Sequence, residues 1–196
     1  MELLEGRFDE FFENVQRPDL IKCSARAFGN NVFYKGLLIS ALLLAGKHEK
    51  NNPLSLPSFK FMESEVAELF SVKHVSDLFD PDVFAKLKIY VPISSETLIS
   101  LWLENTRLSD EDALQLLSIF SSEVTEMIDT LIGANRSSLF AKVADWIKIL
   151  TEIYIYYGDE KRLAELQNRI QVKYSGKKAF IKILKNKDLN PALPLR

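Results

Sequence analysis

Apolar residues recur along this chain at intervals of three and four with few breaks, and that period most narrows what the chain can fold into. Between residues 110 and 157 the stripe runs Ala113, Leu117, Phe120, Val124, Met127, Ile128 and Leu131, then Leu139, Val143, Trp146, Ile147, Leu150, Ile153, Tyr154 and Tyr157. Such spacing stacks side chains on one face of a helix. Seven glycines and seven prolines in 196 residues leave little material for the many tight turns of a sandwich or barrel. No period-two alternation is sustained, and only 86–93 is ambiguous between strand and helix. The expectation is an all-α protein, built as an antiparallel helical bundle or a short α-solenoid-like helical domain.

Punctuation divides the chain into helices joined by short turns. A helix with Leu4, Phe8, Phe11, Phe12 and Val15 on one face is closed by Pro18, and a short one over 19–28 is ended by Gly29. The next covers 32–45 and stops at Gly46; its apolar run, 37–45, is too short to span a bilayer and reads as buried helix. The stretch 47–58, with Pro53 and Pro57, is the clearest loop. Short helices follow over 63–71, after the Asp80–Pro81 start signal, and after Ser94 or Ser95, where Leu98, Leu101 and Trp102 form the apolar side. Ser109 to Asp112 reads as a capping box, residues 133–136 as a turn, and Ser137 or Ser138 as the cap of the following helix. Gly158–Asp159 ends that helix, and Ser175–Gly176 separates the last two, the second with Phe180, Ile181 and Leu184 inward. These signals define an N-terminal helical segment 1–50, a main helical domain 59–187, and an extended or disordered tail 188–196 with Pro191 and Pro194.

Charge is segregated along the chain. Residues 1–160 hold 15 Lys/Arg against 25 Asp/Glu, and 161–196 hold 10 against 2, so a body near −10 ends in a tail near +8. Lys161, Arg162, Arg169, Lys173, Lys177, Lys178, Lys182, Lys185 and Lys187 are candidate contacts for RNA phosphates or for an acidic partner. On a helix, Arg169, Lys173 and Lys177 share one side, and so do Lys178, Lys182 and Lys185. A solvated face, or one docked on the acidic body of its own fold, accounts for the same pattern. Trp102, Leu117, Phe120, Trp146, Ile147, Leu150 and Ile153 are candidate core or interface residues. The helix over 139–157 is apolar on most sides, which makes it the centre of the domain or, as a second choice, part of an oligomer interface.

Catalytic chemistry has little to work with. Cys23 is the single cysteine, so no intramolecular disulfide forms and a reducing, intracellular compartment fits best. The acidic N-terminus does not read as a targeting peptide. His48 and His74 lie far apart with no cysteine nearby, too few ligands for zinc. No phosphate-binding glycine loop is present, and Ser138 sits in no nucleophile elbow. Asp110, Glu111 and Asp112 cluster, but acids at a helix start complement the helix dipole without any catalytic role. No catalytic residue, metal, cofactor, membrane contact or small-molecule substrate is expected.

Five short stretches carry a likeness: DVFAKL at 82–87, SETLI at 95–99, NTRL at 105–108, EDALQLL at 111–117 and WIKIL at 146–150, with Leu163 and Leu166 beyond. In order and spacing, residues 80–185 resemble the helical C-terminal domain of WD-repeat proteins of the small-subunit processome. The resemblance implies a non-enzymatic scaffold in ribosome biogenesis that pairs with other helical subunits, helps to hold precursor ribosomal RNA, and resides in the nucleolus. The family places this domain after one or two β-propellers, whereas here about 80 helical-looking residues precede it. The rival expectation is a cytoplasmic helical adaptor unrelated to RNA, in trafficking or protein turnover. An enzyme with a dispersed carboxylate site is a distant third.

Overall fold

A computed structural model describes residues 6–15, 31–47, 59, 95–106 and 108–189. Among these residues every regular element is helical, so the chain is all-α. Seven α-helices follow in order: α1 (Phe8–Val15), α2 (Asn31–Gly46), α3 (Ser95–Asn105), α4 (Asp110–Gly133), α5 (Phe140–Tyr156), α6 (Glu160–Tyr174) and α7 (Lys178–Asn186). Packing divides the described residues into two compact units, one holding 6–15, 31–47, 59, 95–106 and 108–117, the other 118–189. The division falls within α4. The turn signals at 48–58 and the tail from 190 lie outside the described residues, as do the helices expected over 19–28, 63–71 and after Pro81 and the ambiguous run 86–93.

The first unit is organised by α2. Every residue from Leu37 to Ala45 is buried, including Ser40, whose hydroxyl donates to the Gly36 carbonyl oxygen at 2.9 Å. A run without a polar side has to be covered all round, and this one is. Its end runs close to α3: a Cβ on Gly46 would lie 2.6 Å from Leu103 Cδ1, so only a glycine lets the Leu103 side chain lie there undisplaced. Lys47 then reaches the start of α4, donating to the Leu108 carbonyl oxygen at 2.9 Å and pairing with Asp110 at 2.6 Å. In α1, Phe8 and Phe12 are buried with ring centroids 6.5 Å apart. In α3, Ile99 and Trp102 are buried.

The start of α4 follows the capping signal. The Asp112 backbone N–H donates to Ser109 Oγ at 3.0 Å, and the Ser109 hydroxyl donates to Asp112 Oδ2 at 2.6 Å. The start of α5 departs from expectation. Residues Ser137–Leu139 form a turn of 3-10 helix, α5 begins at Phe140 behind Leu139, and neither helix start has a side-chain cap. Backbone bonds do the work of the expected serine: Leu139 N–H donates to the Arg136 carbonyl oxygen at 3.0 Å, within a turn opened by Asn135 at φ 58°. Gly158, at φ +64°, closes α5, and Asp159 starts α6 by accepting from the Arg162 backbone N–H at 3.0 Å. Asp159 therefore opens the next helix as well as ending the last.

The second unit is a bundle around α5. Ten of its residues are buried, Val143, Trp146, Ile147, Ile149, Leu150 and Ile153 almost completely. Trp146 meets Phe120 of α4 at 6.0 Å between ring centroids, and Phe140 meets Phe180 of α7 at 5.4 Å. Paired residues fix the helix directions. Asp129 and Asn135 of the α4 end meet Lys173 and Lys177, so α4 and α6 run the same way. Phe140 and Asp145 meet Phe180 and Lys187, so α5 and α7 also do. Alternate helices of the unit thus run parallel.

Candidate functional site

The basic helices are built on a sparse apolar seam. In α6, Leu166, Ile170 and Tyr174 are buried at successive spacings of four; in α7, Phe180 and Leu184 are. Each seam occupies one side of its helix, which leaves the cationic side chains to the flanks and the outer face.

Five of the nine basic candidates are engaged within the unit. Arg169 Nη2 lies 2.5 Å from Asp129 Oδ2, its Nε 3.3 Å from Oδ1, and Lys173 Nζ 2.6 Å from Oδ2. The Tyr174 hydroxyl donates to the same carboxylate. Burial alone would raise the Asp129 pKa, but hydrogen bonds from Arg169, Lys173 and Tyr174 outweigh it and bring it down to about 2. The Tyr174 hydroxyl is pushed up, first by burial and then by its bond to Asp129, and the Arg169 pKa is raised by the same carboxylate. Lys177 Nζ donates to Asn135 Oδ1 at 3.1 Å, Lys187 pairs with Asp145, and Arg162 Nε lies 3.5 Å from Asp159. The side shared by Arg169, Lys173 and Lys177 thus faces Asp129 and Asn135, at and just past the end of α4.

The other four are exposed. Lys161 stands at the start of α6, and Lys178, Lys182 and Lys185 lie along the outside of α7. Among the described residues none of the four side chains makes an ion pair or hydrogen bond. The seven apolar candidates, Trp102, Leu117, Phe120, Trp146, Ile147, Leu150 and Ile153, are all buried by the chain itself, none more than 2 % exposed.

Two of the three acids at the α4 start are engaged by the fold. Asp110 is lowered by a hydrogen bond from Lys47 and by that cation's charge, and Asp112 serves the Ser109 cap. Two carboxyls that sequence reasoning passed over stand out instead. Asp129 is the anchor of α6, yet its partners are 40 to 45 residues away, so no local signal reveals it. Glu123 is 8 % exposed, its Oε2 has no hydrogen-bond partner among the described residues, and burial, with Glu126 nearby, pushes its pKa up to about 7. It sits beside Val124 and one turn before Met127 in the buried stripe, a position that a strict apolar pattern would have flagged.

Among the described residues no three His, Cys, Asp or Glu side chains gather as a metal site, and no helix is long and apolar enough to cross a membrane. Comparison with known proteins gives no match to any family model, curated protein or solved structure. The likeness of residues 80–185 to the processome domain rests on its short motifs alone.

Proposed function

We propose that this chain is a non-enzymatic helical scaffold module of a larger assembly, whose basic C-terminal end meets an anionic partner. One observation carries the reading: the basic end is divided, with Arg169, Lys173, Lys177 and Lys187 holding the fold and Lys178, Lys182 and Lys185 facing solvent on a helix that is itself anchored. Cations left outward by a fold that uses their neighbours inward are available to a partner. Two of the three acids clustered at the α4 start serve the fold, Asp112 in the Ser109 cap and Asp110 in the pair with Lys47. The motifs at 82–87, 95–99, 105–108, 111–117 and 146–150 suggest ribosome biogenesis as the context, with helical protein subunits and precursor ribosomal RNA nearby.

Native purification of the tagged chain, with and without nuclease and at about 50 and about 200 mM salt, tests this. Retention of a defined set of protein subunits after nuclease is the expected result, and small-subunit processome proteins among them would support the context. Elution of the chain by itself under every condition overturns the scaffold reading. A nuclease-resistant set without ribosome-assembly factors favours the adaptor alternative.

A further inference from the structure

We infer that α7 is a docking rail for an acidic helix, its three outward lysines meeting carboxylates spaced i, i+4, i+7 on a partner protein. The inference rests on the scaffold reading and names the chemistry of one contact within it.

The geometry begins with the helical period. At about 100° per residue, Lys178, Lys182 and Lys185 fall within an arc of about 60°, and they extend over about 10.5 Å of helix axis. The opposite side of α7 carries Phe180 and Leu184, both buried. Ile181, half-buried, borders the lysine row, so the rail has a short apolar edge beside its charges. A helix laid alongside at the usual spacing of about 8–10 Å presents glutamates or aspartates at the same pitch, i, i+4, i+7 in one direction and i, i+3, i+7 in the other.

The rail is held in place before any partner arrives. Lys177, at the start of α7, bonds Asn135; Lys187, just past its end, pairs with Asp145; and Phe180 packs edge-on against both Phe140 and Tyr174. A helix already in place leaves only side-chain freedom to be lost when a partner binds.

Charge chemistry selects a carboxylate partner over a nucleic acid. The two arginines of the basic end that lie in α6, Arg162 and Arg169, point at Asp159 and Asp129, and no exposed position of α7 is aromatic. Guanidinium forks and stacking platforms, on which single-stranded RNA modules rely, are therefore missing from the rail. Three lysines neutralising three phosphates give a salt slope of only about −2 to −3, a weak non-specific hold. Three carboxylates at helical spacing match three ammonium groups one to one.

The test uses the full chain and two labelled helical peptides of equal length, one with glutamates at i, i+4 and i+7, the other with glutamines there, read by fluorescence anisotropy at about 50 mM salt. The acidic peptide should bind tighter than its twin, and the K178E/K182E/K185E chain should lose about tenfold or more in affinity. K161E, an exposed lysine off the rail, should stay within about twofold. Circular dichroism checks the fold, and K178Q/K182Q/K185Q replaces the charge reversal if that chain does not fold. Unchanged binding of the acidic peptide by a folded rail variant overturns the proposal, as does equal binding of the two peptides. Tighter binding of a uridine homopolymer than of the acidic peptide, lost in the rail variant, also overturns it and assigns the lysines to RNA. None of these outcomes bears on the nuclease-resistant subunits that the scaffold reading requires.

Discussion

Two carboxyls in α4 hold opposite electrostatic positions, and the difference is environmental. Asp129 lies under two cations and a phenol; Glu123, six residues earlier, lies in an apolar setting with another glutamate nearby. For Asp129 the folded pKa is depressed from 3.8 to about 2, so its contribution is complete above about pH 4 and is lost as the pH falls through 2. With partial exposure discounted, the carboxylate is worth about 1–2 kcal/mol. D129N should lose that much stability in urea unfolding at neutral pH, and the gap from the unaltered chain should close toward about pH 2. For Glu123 the folded pKa is raised from 4.5 to about 7, so the reverse applies: stability is complete below 4.5 and is lost as the pH rises through 7. E123Q keeps the shape and removes the ionisation. It should gain about 1–3 kcal/mol at about pH 8 and nothing near pH 4, and equal midpoints at pH 8 would show that the carboxyl is solvated after all.

Helix starts divide into those made by side chains and those made by backbone. S109A removes the oxygen that accepts from Asp112 N–H and should cost about 1 kcal/mol, whereas S138A, ahead of a helix that opens through a 3-10 turn, should stay within about 0.5 kcal/mol. Paired thermal melts check the contrast, and an equal loss at both serines would assign a cap to α5. Elements of this kind were largely readable in the sequence. The stripes of α4 and α5, the breaks at Gly158 and Ser175–Gly176 and the Ser109 cap all arise from interactions within a few residues, which is the range over which sequence patterns report. The α5 start was misread because serines before an apolar run suit both a cap and a 3-10 turn, and only the backbone path separates the two. The candidate site was legible as a set and not in its division. Nine basic residues in one stretch announce a cationic end, but which of them face inward depends on Asp129, Asn135 and Asp145, set by helices packing more than 40 residues apart.

The two compact units depend on different kinds of core. In the first, α2 supplies a run of consecutive buried residues, so its sequence needs no amphipathic face; in the second, α6 and α7 each contribute only a narrow seam beside α5. A spine of this second kind makes the unit's helices interdependent, because Phe120, Leu166, Ile170, Phe180 and Leu184 are each buried in a unit centred on one helix. Leu150 lies in the middle of α5 and is fully buried. L150A removes its isopropyl group and leaves a cavity that neighbours fill only in part, a loss of about 2–5 kcal/mol. The penalty should appear in the chain alone, independent of its concentration, since Leu150 is buried by its own fold. Hydrogen exchange should then show amides of α5, α6 and α7 opening together at the lowered free energy, as expected where one core element is shared. A melting temperature that rises with protein concentration in the unaltered chain and loses that dependence in L150A would instead make α5 part of an oligomer interface.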